Sequence, residues 1–303
     1  MDGFRKLLIP LDGSHLAEAV LPVARVMAER LHANVSLLHV MEEAPPEKIH
    51  GESHLANTME AVRYLDRIAE RCSYQDAIVE THVHPNKERD VVASIIQHAG
   101  EFAADLVLIT THGRGGVRDL LVGSIALQVL RRGTLPVLLV KPTAEGGPPP
   151  FEGRRMLVPL DGMPRHDGAV LPVLTGLARP LGAEVRLLVV VPTRDTVAGD
   201  QAAIARLMPG ATTVALEMEE EAAREYLARI EGDLSKVGVK VTAEVRRGDP
   251  VATVVERSGT LAADLIVMST HAKAGLDAFW SGSIGARLLS RIHQPLLLSK
   301  ARE

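Results

Sequence analysis

The sequence predicts an α/β fold of two repeated domains, each a five-stranded parallel sheet with helices on both faces. Two observations lead there: strand-like and helix-like periods alternate along the chain, and the alternation occurs twice in the same order. IPLDG (9–13) returns as VPLDG (158–162), LPVARVMAERLHANVSLLHV (21–40) as LPVLTGLARPLGAEVRLLVV (171–190), and AADLVLITTH (103–112) as AADLIVMSTH (262–271). The offset is 149 residues at Pro10/Pro159, 150 at Leu21/Leu171 and 159 from Asp105/Asp264 onward, so the copies differ in length mainly between residues 41 and 90. A period of about 150 residues is a domain duplication and is too long for a solenoid.

In the first copy, strands are expected at 5–10, 34–41, 78–84, 105–110 and 136–140. They are short, apolar and branched, as strands covered on both faces should be. Helices are expected near 14–31, 55–72, 89–101 and 124–132; Val20, Leu21, Ala24, Met27, Ala28 and Leu31 recur at three- and four-residue spacing and give the first of them one apolar stripe. The second copy supplies strands near 155–160, 184–191, 239–246, 264–269 and 295–299, with helices between. Ligands of such sheets bind at the carboxyl ends of strands where the strand order reverses. If the first and fourth strands are neighbours across that reversal, Asp12 and Gly113 meet in one crevice.

The domains are read as 1–142 and 154–303. The linker 143–153 contains three consecutive prolines and several glycines, which continue neither strand nor helix. At 46% hydrophobic content, each half can bury a core of its own. The net charge of −4 and the scattered basic residues argue against a nucleic-acid partner. Cys72 is the only cysteine, which excludes an intrachain disulfide and points to a reducing compartment. No apolar run approaches membrane-spanning length and MDGFRK leads directly into a strand, so a cytoplasmic protein without membrane insertion is expected.

The chemistry-bearing motif is Thr110-x2-Gly113-x9-Gly123-Ser124, between the strand DLVLIT (105–110) and the helix SIALQVLRR (124–132). Glycine lets backbone N–H groups approach an anion, and the following helix offers unpaired donors and the positive end of its dipole. Arg114 and Arg118 place cations within reach of a phosphate tail. The competing reading is a strand-to-helix turn rich in glycine for packing. Asp12 has a competing reading too, as a turn or cap residue before Gly13, but it recurs as Asp161 in the same context.

These residues resemble the tandem universal stress proteins of the ATP-binding subgroup, whose nucleotide motif is G-x2-G-x9-G-[ST] after the fourth strand, with an aspartate just after the first. Thr110 stands where that family usually has its first glycine. The resemblance covers both copies and implies a Rossmann-like arrangement binding ATP (or ADP or AMP) with Mg²⁺. It implies that Asp12, with Pro10 and Leu11, faces the ribose or adenine, and that Val40 and Met41 offer backbone groups to the adenine edge. Thr110, Gly113, Arg114, Gly123, Ser124 and Ile125 would surround the phosphates. In the second copy the motif reads Ser269-x2-Ala272-x9-Gly282-Ser283. A methyl group at 272 crowds the backbone approach, so Pro159, Asp161, Val190, Ser269, Gly282 and Ser283 are expected to form at most a weaker second site.

Nine of the twelve histidines lie in the first half. His50 and His54 are four apart, and His82 and His84 alternate on a strand, so either pair presents two imidazoles on one face. No cysteine accompanies them, and surface histidine is commonly incidental, so no metal is assigned and the four stay as candidates only. There is no nucleophile elbow, no Walker lysine and no catalytic pair of carboxylates placed by motif. The expected function is therefore a nucleotide-binding stress-response module with a regulatory or signalling role and an unknown signalling partner. A slow Mg-dependent ATPase is one alternative. Others are a metal-binding variant using the histidines, or an assembly scaffold with nucleotide secondary, in which the two copies form a pseudo-dimer, or two chains a homodimer, through the last strands PVLLV and PLLLS.

Overall fold

The computed structural model describes all residues except 1–2, 46, 50, 56, 73, 75, 112–123, 198–199, 271–283 and 301–303. Gly113, Arg114, Gly123, His50, Gly282 and Ser283 lie outside the described residues, as does the side chain of Ser124. Two compact units emerge, one built on Met1–Gly153 with His293–Lys300 and the other on Arg154–Ile292.

The first unit runs β1 (Lys6–Pro10), a 3₁₀ turn (Ala17–Val20), α1 (Leu21–Leu31), β2 (Asn34–Glu42), a two-stranded hairpin of β3 (Lys48–Ile49) and β4 (Glu52–Ser53), α2 (Thr58–Arg71), β5 (Val79–Glu88), α3 (Val91–Glu101), β6 (Leu106–Thr110), α4 (Ser124–Arg132) and β7 (Val137–Val140). The order of the parallel strands is β7-β6-β1-β2-β5, with the reversal between β6 and β1 as anticipated. Leu7, Leu8, Leu37, Leu38, Leu106 and Leu108 have no exposed surface, because the strands are covered on both faces. Strand β12 (Leu296–Lys300) belongs to this unit, where Leu296–Leu298 run antiparallel to β7.

The second unit runs β8 (Arg155–Leu160), α5 (Pro164–Asp167), α6 (Val170–Leu181), β9 (Glu184–Val191), α7 (Asp200–Leu207), α8 (Pro209–Lys236), β10 (Lys240–Arg247), α9 (Pro250–Thr260), β11 (Leu265–Thr270) and a helix Ile284–Arg291. Its strands are parallel in the order β10-β9-β8-β11. The two copies diverge where their lengths do: the hairpin and the 14-residue α2 of the first are replaced by α7 and the 28-residue α8. At 1.5 Å per residue α8 is about 42 Å long.

Local chemistry explains the element ends. Asn57, Asp90 and Asp249 cap α2, α3 and α9 by accepting the amides of Glu60, Ala93 and Ala252. The repeated AAD triplet has a structural task in each copy. Ala103 (φ 50°) and Ala262 (φ 45°) take the left-handed conformation just after α3 and α9. The aspartates that follow tie down the start of the first strand: Asp105 accepts the amides of Arg5 and Lys6 at 2.7 and 2.9 Å, and Asp264 those of Arg154 and Arg155 at 3.0 Å each.

Candidate functional site

The carboxyl ends of β1, β2 and β6 converge at the reversal. Pro10 pairs with Leu38 in register and the Leu11 amide donates to the Leu38 carbonyl, after which the chain turns and β2 runs on to Glu42 paired, among the described residues, only with β5 on its other side. Val40 and Met41 therefore lie on a stretch of β2 that projects past β1. Their side chains are buried, as is that of Leu11, so it is their backbone that a ligand would meet. Thr110 closes β6, and its hydroxyl donates to the Ala17 carbonyl at 3.0 Å, joining the end of β6 to the turn that follows Asp12. Ser124 opens α4 and Ile125 is half-buried on it.

Asp12 sits in that turn. Its Oδ1 accepts the amide of Ser14 at 2.9 Å and the Ser14 hydroxyl at 2.7 Å, so the carboxylate has the turn-forming role that was its alternative reading, whatever else it binds. Gly13 carries φ 90°. The segment after β3 closes over this turn: Glu52 accepts the His15 amide at 3.0 Å, and a Cβ on Gly13 would meet Cγ and Cδ1 of Leu55 at 2.8 Å. Gly162, the equivalent in the second copy, has φ 78° but open space around it. Gly13→Ala should therefore destabilise the chain by more than the about 1–3 kcal/mol of backbone strain expected for Gly162→Ala. Urea denaturation of both variants reads the difference, and equal losses would show that Leu55 yields freely.

Around Asp12 lie buried polar atoms that have no hydrogen-bond partner among the described residues: Nε2 of His39, Nε2 of His54 and the hydroxyl of Tyr64. His39 Nδ1 donates to the Leu11 carbonyl at 2.8 Å, which leaves Nε2 as a bare acceptor. Burial lowers the His39 pKa and raises that of Tyr64, and both groups feel the charge of Asp12. Unsatisfied polar atoms are costly in a core, and their concentration beside one crevice marks a place where water or a ligand completes the bonding.

The second copy answers the same need internally. Asp161 repeats the turn, its Oδ1 accepting the Met163 amide at 2.8 Å. Here Tyr226, from α8, donates its hydroxyl to Oδ2 of buried Asp167 at 2.8 Å, while the Asp161 amide points to Oδ1 of Asp167 at 3.4 Å. Burial, helped by the charge of Asp161 and opposed by the Tyr226 hydrogen bond, lifts the Asp167 carboxyl to about 6. Pro159 is half-buried near the end of β8, Val190 is half-buried on β9 and Ser269 is buried on β11. Asp167 and Tyr226 were not singled out in the sequence; a buried carboxylate separated by 59 residues from its partner leaves no local signature.

The histidine candidates divide. His54 lies with His39, ring centroids 6.3 Å apart, and its Nε2 is 3.7 Å from Glu42. His82 and His84 instead meet His98 of α3.

The sequence model of the Universal stress protein family matches residues 3–141 and, again, residues 153–300. The chain belongs to the universal stress protein family. The universal stress protein YxiE of Bacillus subtilis is 27% identical over 150 residues, spanning 46% of this chain and 99% of that protein. A solved universal stress protein of Archaeoglobus fulgidus superposes with a TM-score of 0.64 at 17% identity, covering 98% of this chain and 97% of the other. A functionally unknown protein of Pseudomonas aeruginosa gives 0.68 at 16% identity over 98% of this chain and 93% of its own. These likenesses establish the α/β fold in two repeated domains. Among the described residues, no helix of this universal stress protein is long and apolar enough to cross a membrane.

Proposed function

We propose that this universal stress protein binds ATP with Mg²⁺ through its first copy and serves as a nucleotide-responsive regulatory module. The observation that carries the reading is the reversal between β1 and β6, which sets the Asp12 turn beside the strand leading into Gly113-x9-Gly123-Ser124. The polar atoms of His39, His54 and Tyr64 that await partners there support it. In this reading Asp12 accepts from the ribose, the projecting backbone of Val40 and Met41 meets the adenine, and Gly113, Gly123 and Ser124 hold phosphates, whose charge Mg²⁺ and Arg114 offset. The second copy binds more weakly, because Ala272 replaces glycine and the Asp167 carboxyl brings negative charge next to the Asp161 turn.

Calorimetry of the full chain with MgATP tests the proposal. We expect one nucleotide per chain at limiting ligand. Asp12→Asn retains the turn-forming oxygen but removes the charge, and should weaken binding by about tenfold, the worth of one charge-assisted hydrogen bond. Asp161→Asn should leave the affinity unchanged. No heat from the unaltered chain, or a loss confined to Asp161→Asn, would sink the assignment.

A further inference from the structure

Beside the crevice, but using none of its proposed residues, β5 and α3 assemble three imidazoles. His82 and His84 alternate on β5, so both leave the same face of the strand, and His98 reaches that face from α3. Nε2 of His98 lies 3.1 Å from Nε2 of His82, and one ring nitrogen from each of the three histidines falls within 4.8 Å of the others. Ring centroids are 4.8 Å apart for His82 and His98 and 5.0 Å for His84 and His98.

The bonding of His98 fixes how it presents itself. The residue is 3% exposed, and Nδ1 lies 2.8 Å from the Ser94 carbonyl. A carbonyl only accepts, so Nδ1 carries the proton and Nε2 directs a lone pair into the cluster. A ring N–H held by a backbone carbonyl is the arrangement that orients metal-binding imidazoles. Phe102 walls the site on one side, edge-on to His82 at 5.2 Å and to His98 at 5.4 Å. Carboxylates flank it: Glu88 Oε1 is 3.0 Å from His84 Nε2, and Glu101 Oε2 is 3.9 Å from His98 Nε2.

We propose that His82, His84 and His98 form a binding site for a divalent transition-metal ion of the zinc type, with Glu88 and Glu101 supplying compensating negative charge. Imidazole donors select such ions over Mg²⁺ and Ca²⁺, which take oxygen ligands. Two nitrogens bound tetrahedrally to zinc at about 2.0–2.1 Å lie roughly 3.4 Å apart, close to the observed 3.1 Å between His82 and His98. His84 donates its Nε2–H to the Glu88 carboxylate, so its Nδ1 is the nitrogen left to ligate, and it has only to close by a side-chain adjustment. On binding, the proton that His82 Nε2 shares with His98 moves to Nδ1 of His82, freeing both Nε2 lone pairs for the ion. His82 and His84 were visible as a pair in the sequence, whereas His98 was not, because its place depends on how α3 packs.

The test uses the tag-free full chain, stripped with a chelator and titrated with zinc chloride without nucleotide. Cobalt chloride in a parallel titration adds a visible spectrum. We expect one zinc per chain with submicromolar affinity and cobalt absorption of a low-coordinate imidazole site. Changes outside the coordination sphere alone cost about 10–100-fold in affinity, so the ligand variants His82→Ala and His84→Ala should each lose at least that. His54→Ala, in the other histidine pair, should lose nothing. His98→Ala opens a buried position, so it is read only beside the half-buried His82 and His84 variants, each checked by circular dichroism. A zinc dissociation constant weaker than about 100 µM in the unaltered chain would overturn the site. So would full affinity in folded His82→Ala and His84→Ala, or a loss confined to His54→Ala; the three rings would then be a hydrogen-bonded packing cluster.

Discussion

Asp167→Asn should stabilise the second unit by up to about 3 kcal/mol near pH 8, and by almost nothing near pH 4. Burial raises the Asp167 carboxyl from 3.8 to about 6, a difference that converts at 1.36 kcal/mol per unit. Below the unfolded value both states hold the proton and the folded state carries no penalty. As the pH rises from about 4 to 6 the unfolded chain ionises first, so stability falls, and above 6 the full cost of a buried carboxylate is present. An asparagine never ionises. Its oxygen can still accept the amides that Oδ1 accepts, and its NH₂ can donate to the Tyr226 hydroxyl, which turns to accept. Thermal unfolding of both proteins at several pH values would show two curves that separate as pH rises. Parallel curves, or a variant less stable at high pH, would mean that Asp167 is ionised at little cost.

Gly113→Val should lower MgATP affinity by about 100-fold, equivalent to about 2.7 kcal/mol. A branched side chain takes the space through which backbone N–H groups approach phosphate oxygens and excludes the positive φ angles that glycine allows. The second copy has already made a milder version of this change, with Ala272 at the matching position. Gly113→Ala should accordingly fall between the unaltered chain and the valine variant. Calorimetry with both variants checks the order, and unchanged affinity in a folded Gly113→Val protein would remove the phosphate site from that loop.

Much of this universal stress protein was legible in its amino-acid sequence, because the relevant signals are local or periodic. Buried parallel strands need unbroken apolar runs, so β1, β2, β6 and β7 announced themselves within a residue or so at each end. The turn after β1 needs Asp12 to fold back on Ser14 and Gly13 to take a positive φ, and both requirements are written in consecutive residues. Duplication added a second reading of the same text, while the neighbourhood of β6 and β1 stands there only as a condition for one crevice, which their pairing meets.

What escaped the sequence was contact between residues far apart along the chain. Asp105 gave no sign that it would hold the first amides of β1, 100 residues earlier. Tyr64 and Tyr226 look alike as buried tyrosines, yet one hydroxyl lacks a partner among the described residues and the other has Asp167. The last strand reads as the fifth of its own copy, with pairing of PVLLV to PLLLS left open as an alternative; Leu296–Leu298 do lie antiparallel on β7, a choice the sequence could not make since any strand edge carries the same row of N–H and C=O groups. By itself, then, the sequence determined the duplication, the strands and helices, and the Asp12–Gly13 turn, because period, glycine and proline act over a few residues. Only the tertiary structure decided which edge β12 completes, which tyrosine is satisfied and that His98 joins His82 and His84, because these depend on how helices pack on the sheet, which no local pattern encodes.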